Sequence, residues 1–371
     1  MKGSRFFYTN LIYFIMMLLL ITVRIITSVF SFSFLSDEMY DLLFTCIIQL
    51  GIFLIIPFVA YTLTRKKKFK QTMSDMRVSK ISWRTIIIVI LIGFFAYALN
   101  IAVSSFFNGI ISLFGYEKLP TVAGGAATPM SVGMFFFNLL TVALLPAICE
   151  EFAHRGFLMN GLSSLGLKRA IVYSSIIFGL MHLNISQVFY ATIIGFLMAV
   201  AVVMSKSIFP AIIIHFINNG MNVYLSFAEG NGLFGGQIMN NFNAYLTKVG
   251  PIMGFVVSFL ILVAILLVLL GLYFLLLKET RIKRLQKVLN EVVNIEAPTS
   301  KDVSAKPDYL TNLTMLNKML ADYNFKKPTD LVFTKEENKY NKPKVIENIF
   351  FWGIVGLTAV VTIFTFIWGL L

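Results

Sequence analysis

The chain has 371 residues, 58% of them hydrophobic and 13% charged, with a formal net charge of +13. Mean hydropathy is +0.82, and apolar runs close to the roughly 20 residues that cross a bilayer recur along its length. These values exclude a string of soluble domains, and runs that are apolar all round rather than alternating exclude a transmembrane barrel. The two cysteines, Cys46 and Cys149, both fall inside apolar runs, which argues against a disulfide framework and against a cysteine-based zinc site. The expected fold class is all-α, a polytopic transmembrane helical bundle of about eight to nine spans with a small cytoplasmic helical segment.

In chain order the spans are expected near 6–34, 42–63, 83–104, 131–153, 170–184, 187–204, 207–226, 251–277 and 349–371. The start, Met1–Arg5, is basic, but the apolar stretch behind it is too long for a signal-peptide core, so it reads as a retained first helix. With the N-terminus cytoplasmic, 28 of the 31 Lys and Arg residues fall in inner segments. The outer loops hold Lys118 and Lys248 against Asp37, Glu38, Asp41, Glu117 and Glu229. This is the asymmetry of the positive-inside rule. The basic charge therefore anchors the chain on the lipids of an anionic inner leaflet, and no nucleic-acid partner is expected. Arg24 is the exception, placed within the first span, where it is expected to snorkel or to pair inside the bundle.

The acidic turn Ser36–Asp41 joins the first two spans, and Arg65-Lys66-Lys67-Lys68 ends the second. Asn108 to Met130 reads as an outer loop whose Gly109–Phe114 part lies in the interface. The block 131–226 packs four apolar segments with little loop between them, two of them short enough to require tilted, mutually buried helices. Three parts follow: a transmembrane domain over 1–277, a cytoplasmic helical appendage over 278–347, and a C-terminal transmembrane helix over 348–371. Ile282, Leu285, Leu289, Val292 and Ile295 recur at helical spacing, so the eighth helix should continue into the appendage. Leu310, Leu313, Leu316, Met319 and Leu320 form a second amphipathic candidate, and the whole of 278–347 is a candidate docking segment for a membrane protein partner.

The chemistry concentrates at Glu150-Glu151-Phe152-Ala153-His154-Arg155, which follows an uncharged run from Ser131 to Cys149. Each charged side chain at bilayer depth costs about 2.5–3.5 kcal/mol on insertion scales, so four ionisable groups at one place demand a function or firm partners. All three histidines of the chain, His154, His182 and His215, fall within the same central block. Glu151 and Arg155 stand at i,i+4 in the favourable order for an ion pair, which leaves Glu150 about 100° away and free. His215 and Asn219 share a helix face by the same spacing. Glu150 is expected near the inner end of its helix, with His215 roughly 12 Å and His182 roughly 18 Å from the inner side. His154 is expected to face outward at the interface, Phe178 to pack along the site wall, and Cys149 to take no part. A carboxylate and a histidine sharing a water suit hydrolysis, and an amide with a second histidine suits an oxyanion. A zinc alternative would use Glu150, His182 and His215 as ligands, with His154 as a further candidate, although no HExxH is present.

The series Glu150-Glu151-x-x-x-Arg155, Phe178-x-x-x-His182 and His215-x-x-x-Asn219 resembles the motifs of the CAAX-protease and bacteriocin-processing (CPBP, or Abi) family of intramembrane proteases, relatives of the type II CAAX prenyl endopeptidase. The resemblance implies that Glu150 activates the attacking water with His182, that His215 and Asn219 form the oxyanion site, and that Glu151 and Arg155 are structural. It implies an intramembrane endopeptidase acting near the cytoplasmic leaflet on membrane-associated, lipidated or secreted-peptide precursor substrates. Both metal-free and zinc-dependent mechanisms are compatible with the family, and the metal-free one is preferred. Composition and the family's breadth point to a bacterial plasma membrane. Two other readings are a non-catalytic membrane regulator that binds a sensor kinase or other membrane partner, and a transporter with a Glu/His relay. The outer half of the central helices has almost no polar groups, which disfavours the transporter.

Overall fold

The structure, a computed structural model, describes residues 5–30, 32, 34–115, 129–293, 343 and 345–368. Among these residues every regular element is a helix: α1 (Arg5–Val29), α2 (Asp37–Arg65), α3 (Phe69–Asp75), α4 (Trp83–Ser112), α5 (Val132–Leu165), α6 (Leu167–Leu180), α7 (Ile185–Ser205), α8 (Phe209–Gly230), α9 (Ile238–Val249), α10 (Pro251–Val293) and α11 (Val345–Trp368). Seven of them, α1, α2, α4, α5, α7, α10 and α11, contain stretches long and apolar enough to span a bilayer. The protein is an integral membrane helical bundle, as the composition requires. The expected spans at 170–184 and 207–226 become α6 and α8, and neither meets the criteria of a free-standing span. With 14 residues α6 is too short, and α8 is interrupted by Asn218, Asn219 and Asn222. Both are held against neighbours, α6 on α7 and α8 on α4 and α5.

Side-chain caps set several helix starts. Ser36, Ser82, Ser131 and Asn184 each accept a backbone N–H of the first turn, the usual remedy for unsatisfied donors there. The acidic residues Asp37 and Glu38 form the first turn of α2, where the helix dipole favours them. Gly109–Ser112 belongs to the last turn of α4 and is not a separate interfacial piece. The expected continuation of the eighth helix is present, since α10 runs unbroken to Val293. The candidate at Leu310–Leu320 lies outside the described residues.

The largest departure from expectation is α5. Its expected end at 153 is absent, and the helix runs on to Leu165. Glu150 therefore sits in mid-helix, about 22 Å of helix short of that end at 1.5 Å per residue. Two stretches, Leu139–Leu144 and Phe152–Leu158, are wound with π-type hydrogen bonds and flank the two glutamates. Such windings are rare and gather at functional sites. Where lipid removes the hydrophobic drive for association, helices meet through small residues. A Cβ added to Gly161 would overlap Thr9, and one added to Gly179 would meet Thr192 and the Val188 carbonyl. These contacts seat α1 on α5 and close the α6–α7 hairpin.

Candidate catalytic site

The site assembles where α2, α5, the end of α6, and α8 converge. The expected ion pair is formed: Arg155 Nε lies 3.2 Å from Glu151 Oε2, with both side chains wholly buried. Arg155 also donates from Nη2 to the Gly195 carbonyl at 3.0 Å and lies over the Phe178 ring, 4.6 Å from its centroid. Gly195 leaves room for this, because a Cβ there would stand 3.0 Å from Phe178 and 3.4 Å from Arg155. Phe178 is thus more than wall. Its ring meets His154, His182 and His215 edge-on, at centroid distances of 4.9, 5.2 and 5.6 Å. One aromatic ring sets the positions of all three imidazoles and of the guanidinium.

Each imidazole is pinned through Nδ1. His182 Nδ1 lies 2.9 Å from the Phe178 carbonyl, His154 Nδ1 lies 2.8 Å from the Glu150 carbonyl, and His215 Nδ1 lies 3.0 Å from Glu151 Oε1. Carbonyls and carboxylates only accept, so Nδ1 carries the proton in each ring and Nε2 is the working nitrogen. In His154 that nitrogen accepts from the Tyr13 hydroxyl. His154 is wholly buried, which corrects the expectation of an outward, interfacial residue. The physical reason is the continuation of α5, which carries His154 into the core against α1.

The two adjacent glutamates are treated differently. Glu151 is ion-paired through Oε2 to Arg155, without a hydrogen bond, and accepts from His215 through Oε1. Glu150 is 8% exposed, and its Oε1 accepts from Gln49 Nε2 at 2.9 Å. Its Oε2 is buried, has no hydrogen-bond partner among the described residues, and faces His215 Nε2 across 4.0 Å. That gap is too long for a direct hydrogen bond.

Asn219 completes the group. Pro146 has no N–H to offer the Val142 carbonyl four residues earlier, and Asn219 Nδ2 donates to that carbonyl at 3.1 Å. Asn219 Oδ1 accepts from Asn218, whose own Oδ1 accepts from Asn100 on α4. This fixes the amide orientation and leaves one Asn219 N–H for other use. The structure therefore brings Glu150, Glu151, Arg155, Phe178 and His215 into one connected cluster, and His182 and Asn219 lie on its rim.

Sequence reasoning missed Gln49, Tyr13, Asn100 and Asn218. The available signal was a lone polar side chain in an apolar span, which in lipid calls for a partner. Among the described residues no group of three or more His, Cys, Asp or Glu side chains stands ready to hold a metal ion.

Residues 132–221 match the family model described as Type II CAAX prenyl endopeptidase Rce1-like. The match covers about a quarter of the chain, and it bears out the resemblance read from the motifs. This Rce1-like segment runs from the start of α5 into α8 and contains Glu150, Glu151, Arg155, Phe178, His182, His215 and Asn219. Tyr13, Gln49 and Asn100 lie outside it and come from α1, α2 and α4. No curated protein matches the chain, and neither does any solved structure. At family level the match supports a CAAX-type intramembrane protease.

Proposed function

We propose that this protein is an intramembrane endopeptidase in which Glu150 activates a water for attack on a peptide bond. The observation that carries the reading is the contrast between neighbouring carboxylates: Glu151 is ion-paired to Arg155 and accepts from His215, whereas among the described residues Glu150 has no permanent cation beside it and presents a buried Oε2 without a hydrogen bond opposite His215 Nε2. A water held by Glu150 Oε2 and by the lone pair of His182 Nε2 loses a proton to Glu150 as its oxygen attacks the carbonyl carbon. The oxyanion receives a hydrogen bond from the remaining Asn219 N–H and, once that ring carries a proton on Nε2 as well, from His215. Glu150 then returns the proton to the leaving amine, giving one acid and one amine from peptide and water. No step is assigned to a metal.

The substrate in this reading is a membrane-associated peptide, lipidated or hydrophobic, that reaches the cluster from within a bacterial plasma membrane. The N-terminus is cytoplasmic, and the segment 278–347 is a candidate dock for a membrane partner. The test is cleavage of a quenched-fluorescent farnesylated peptide by purified protein in detergent, with and without a strong chelator. Cleavage that survives chelator and is lost in both Glu150→Gln and His182→Ala supports the reading. Cleavage abolished by chelator and restored by zinc replaces it with a metalloprotease, and cleavage indifferent to Glu150 removes the assignment.

A further inference from the structure

The amide of Asn219 is oriented by groups that lie well away from the two glutamates. The Val142 carbonyl can only accept, so the atom that meets it at 3.1 Å is Asn219 Nδ2, and Asn219 Oδ1 is left as an acceptor. Whatever meets Oδ1 must then donate, and Asn218 Nδ2 does so at 3.3 Å. That makes Asn218 Oδ1 the acceptor for Asn100 Nδ2 at 2.9 Å, and Asn100 Oδ1 the acceptor for the Ser104 hydroxyl at 2.9 Å. One carbonyl thus fixes the sense of the whole chain. Every donor points the same way, from Ser104 through Asn100 and Asn218 to Asn219.

Two helices hold this chain in place. Asn100 and Ser104 stand at i,i+4 and share a face of α4, a helix with no charged residue after Arg84. Asn100 and Asn218 are each 6% exposed. A second pair of contacts braces them. The Tyr97 hydroxyl donates to Asn222 Oδ1 at 2.9 Å, and Asn222 Nδ2 donates to the Asn218 backbone carbonyl at 3.4 Å. The bare Gly93 allows the close approach of α4 to α8, since a Cβ there would press into Ile217.

Buried asparagines join helices in lipid, and this set joins α4 to α8. Joining helices needs neither a common direction nor an end point. A chain in one sense strengthens each successive bond by about 10–30%. Its last member keeps one N–H, the one proposed above for the oxyanion.

We infer that Asn100 is a positioning residue for the cleavage reaction: through Asn218 it orients and polarises the Asn219 amide, with Ser104 at the head of the chain. The inference rests on the endopeptidase reading for the role of Asn219. Asn100 and Ser104 belong to α4, outside the matched residues 132–221, so the support comes from a part of the chain that the family match does not cover. An oxyanion donor is worth about 10²–10³ in rate, and about 10–30% of that effect on a logarithmic scale is roughly two- to eightfold in kcat.

The experiment uses full-length protein in detergent and takes two readouts. One is cleavage of the quenched-fluorescent farnesylated peptide. The other is the nitrogen-15 NMR signal of the Asn219 side chain, assigned by its loss in Asn219→Ala. The variants are Asn100→Leu, Ser104→Ala, Ser104→Thr, and Asn100→Leu combined with Asn219→Ala. In Asn100→Leu kcat is expected to fall roughly two- to eightfold with KM unchanged. Ser104→Ala loses less, Ser104→Thr restores the rate, and Asn100→Leu adds no further loss to Asn219→Ala. The Asn219 signal moves in Asn100→Leu and Ser104→Ala and returns in Ser104→Thr. An unmoved signal, an unchanged kcat in Asn100→Leu, or a loss that adds in full to that of Asn219→Ala overturns the inference. Each of these leaves the protease reading standing where Asn219→Ala itself loses activity. A moved signal in a protein that cleaves no peptide keeps the coupling of Asn100 to Asn219 and overturns the reaction assigned to it.

Discussion

Glu150 and Glu151 are neighbours in sequence on one buried helix, yet the protein surrounds them differently. Glu151 faces Arg155 and His215, and the guanidinium is itself held by the Gly195 carbonyl and the Phe178 ring. Glu150 accepts from Gln49 with one oxygen, and the other, buried and without a hydrogen bond, faces His215 Nε2 across 4.0 Å. A buried charge beside a permanent cation suits a structural part, and one without such a cation suits the reagent proposed above. The turn of about 100° between consecutive helical residues is enough to separate the two roles.

The difference can be broken most severely at Arg155. Arg155→Ala strands a buried carboxylate and should cost about 3–5 kcal/mol, seen as a large drop in thermal unfolding temperature or loss of folded protein from detergent. A preserved melting temperature would mean that Glu151 does not depend on this pair. Next in size is Asn219→Ala, which removes a proposed oxyanion donor and should lower kcat about 10²–10³-fold. It also frees the Val142 carbonyl, so a modest stability loss accompanies it. An undiminished kcat would take Asn219 out of the reaction.

Gln49→Leu sharpens the comparison from the other side. It removes the one hydrogen bond that orients Glu150 and should lower kcat about tenfold with little change in KM. A change confined to KM would instead place Gln49 against the substrate. The smallest effect is expected for Tyr13→Phe. It takes the hydroxyl from His154, on the structural side of the cluster, and should cost about 1 kcal/mol of stability while activity persists. Lost activity at full stability would move His154 into the chemistry.

Much of this was legible in the sequence, for a physical reason. Lipid forces helical structure and makes charge rare, so composition alone gives the fold class and the few charges mark the site. The i,i+4 spacing of Glu151 and Arg155 foretold their ion pair, and the apolar tail of the eighth helix foretold its continuation to Val293. The length of α5 was not legible, because a charged hexapeptide reads as the end of a span. Its burial depends on partners from distant helices, such as Tyr13 and Gln49, that local pattern does not reveal. The short α6 and the asparagine-rich α8 likewise look like spans in a window and turn out to be supported by their neighbours.

The central claim, that adjacent carboxylates divide structure from chemistry, is tested most directly by measuring thermal unfolding and peptide cleavage together on Glu150→Gln and Glu151→Gln. The account predicts that Glu150→Gln melts at or above the wild-type temperature and loses about 10²–10⁴-fold in rate, while Glu151→Gln melts well below it. A Glu150→Gln protein that unfolds early yet still cleaves, beside a stable and inactive Glu151→Gln, would contradict it.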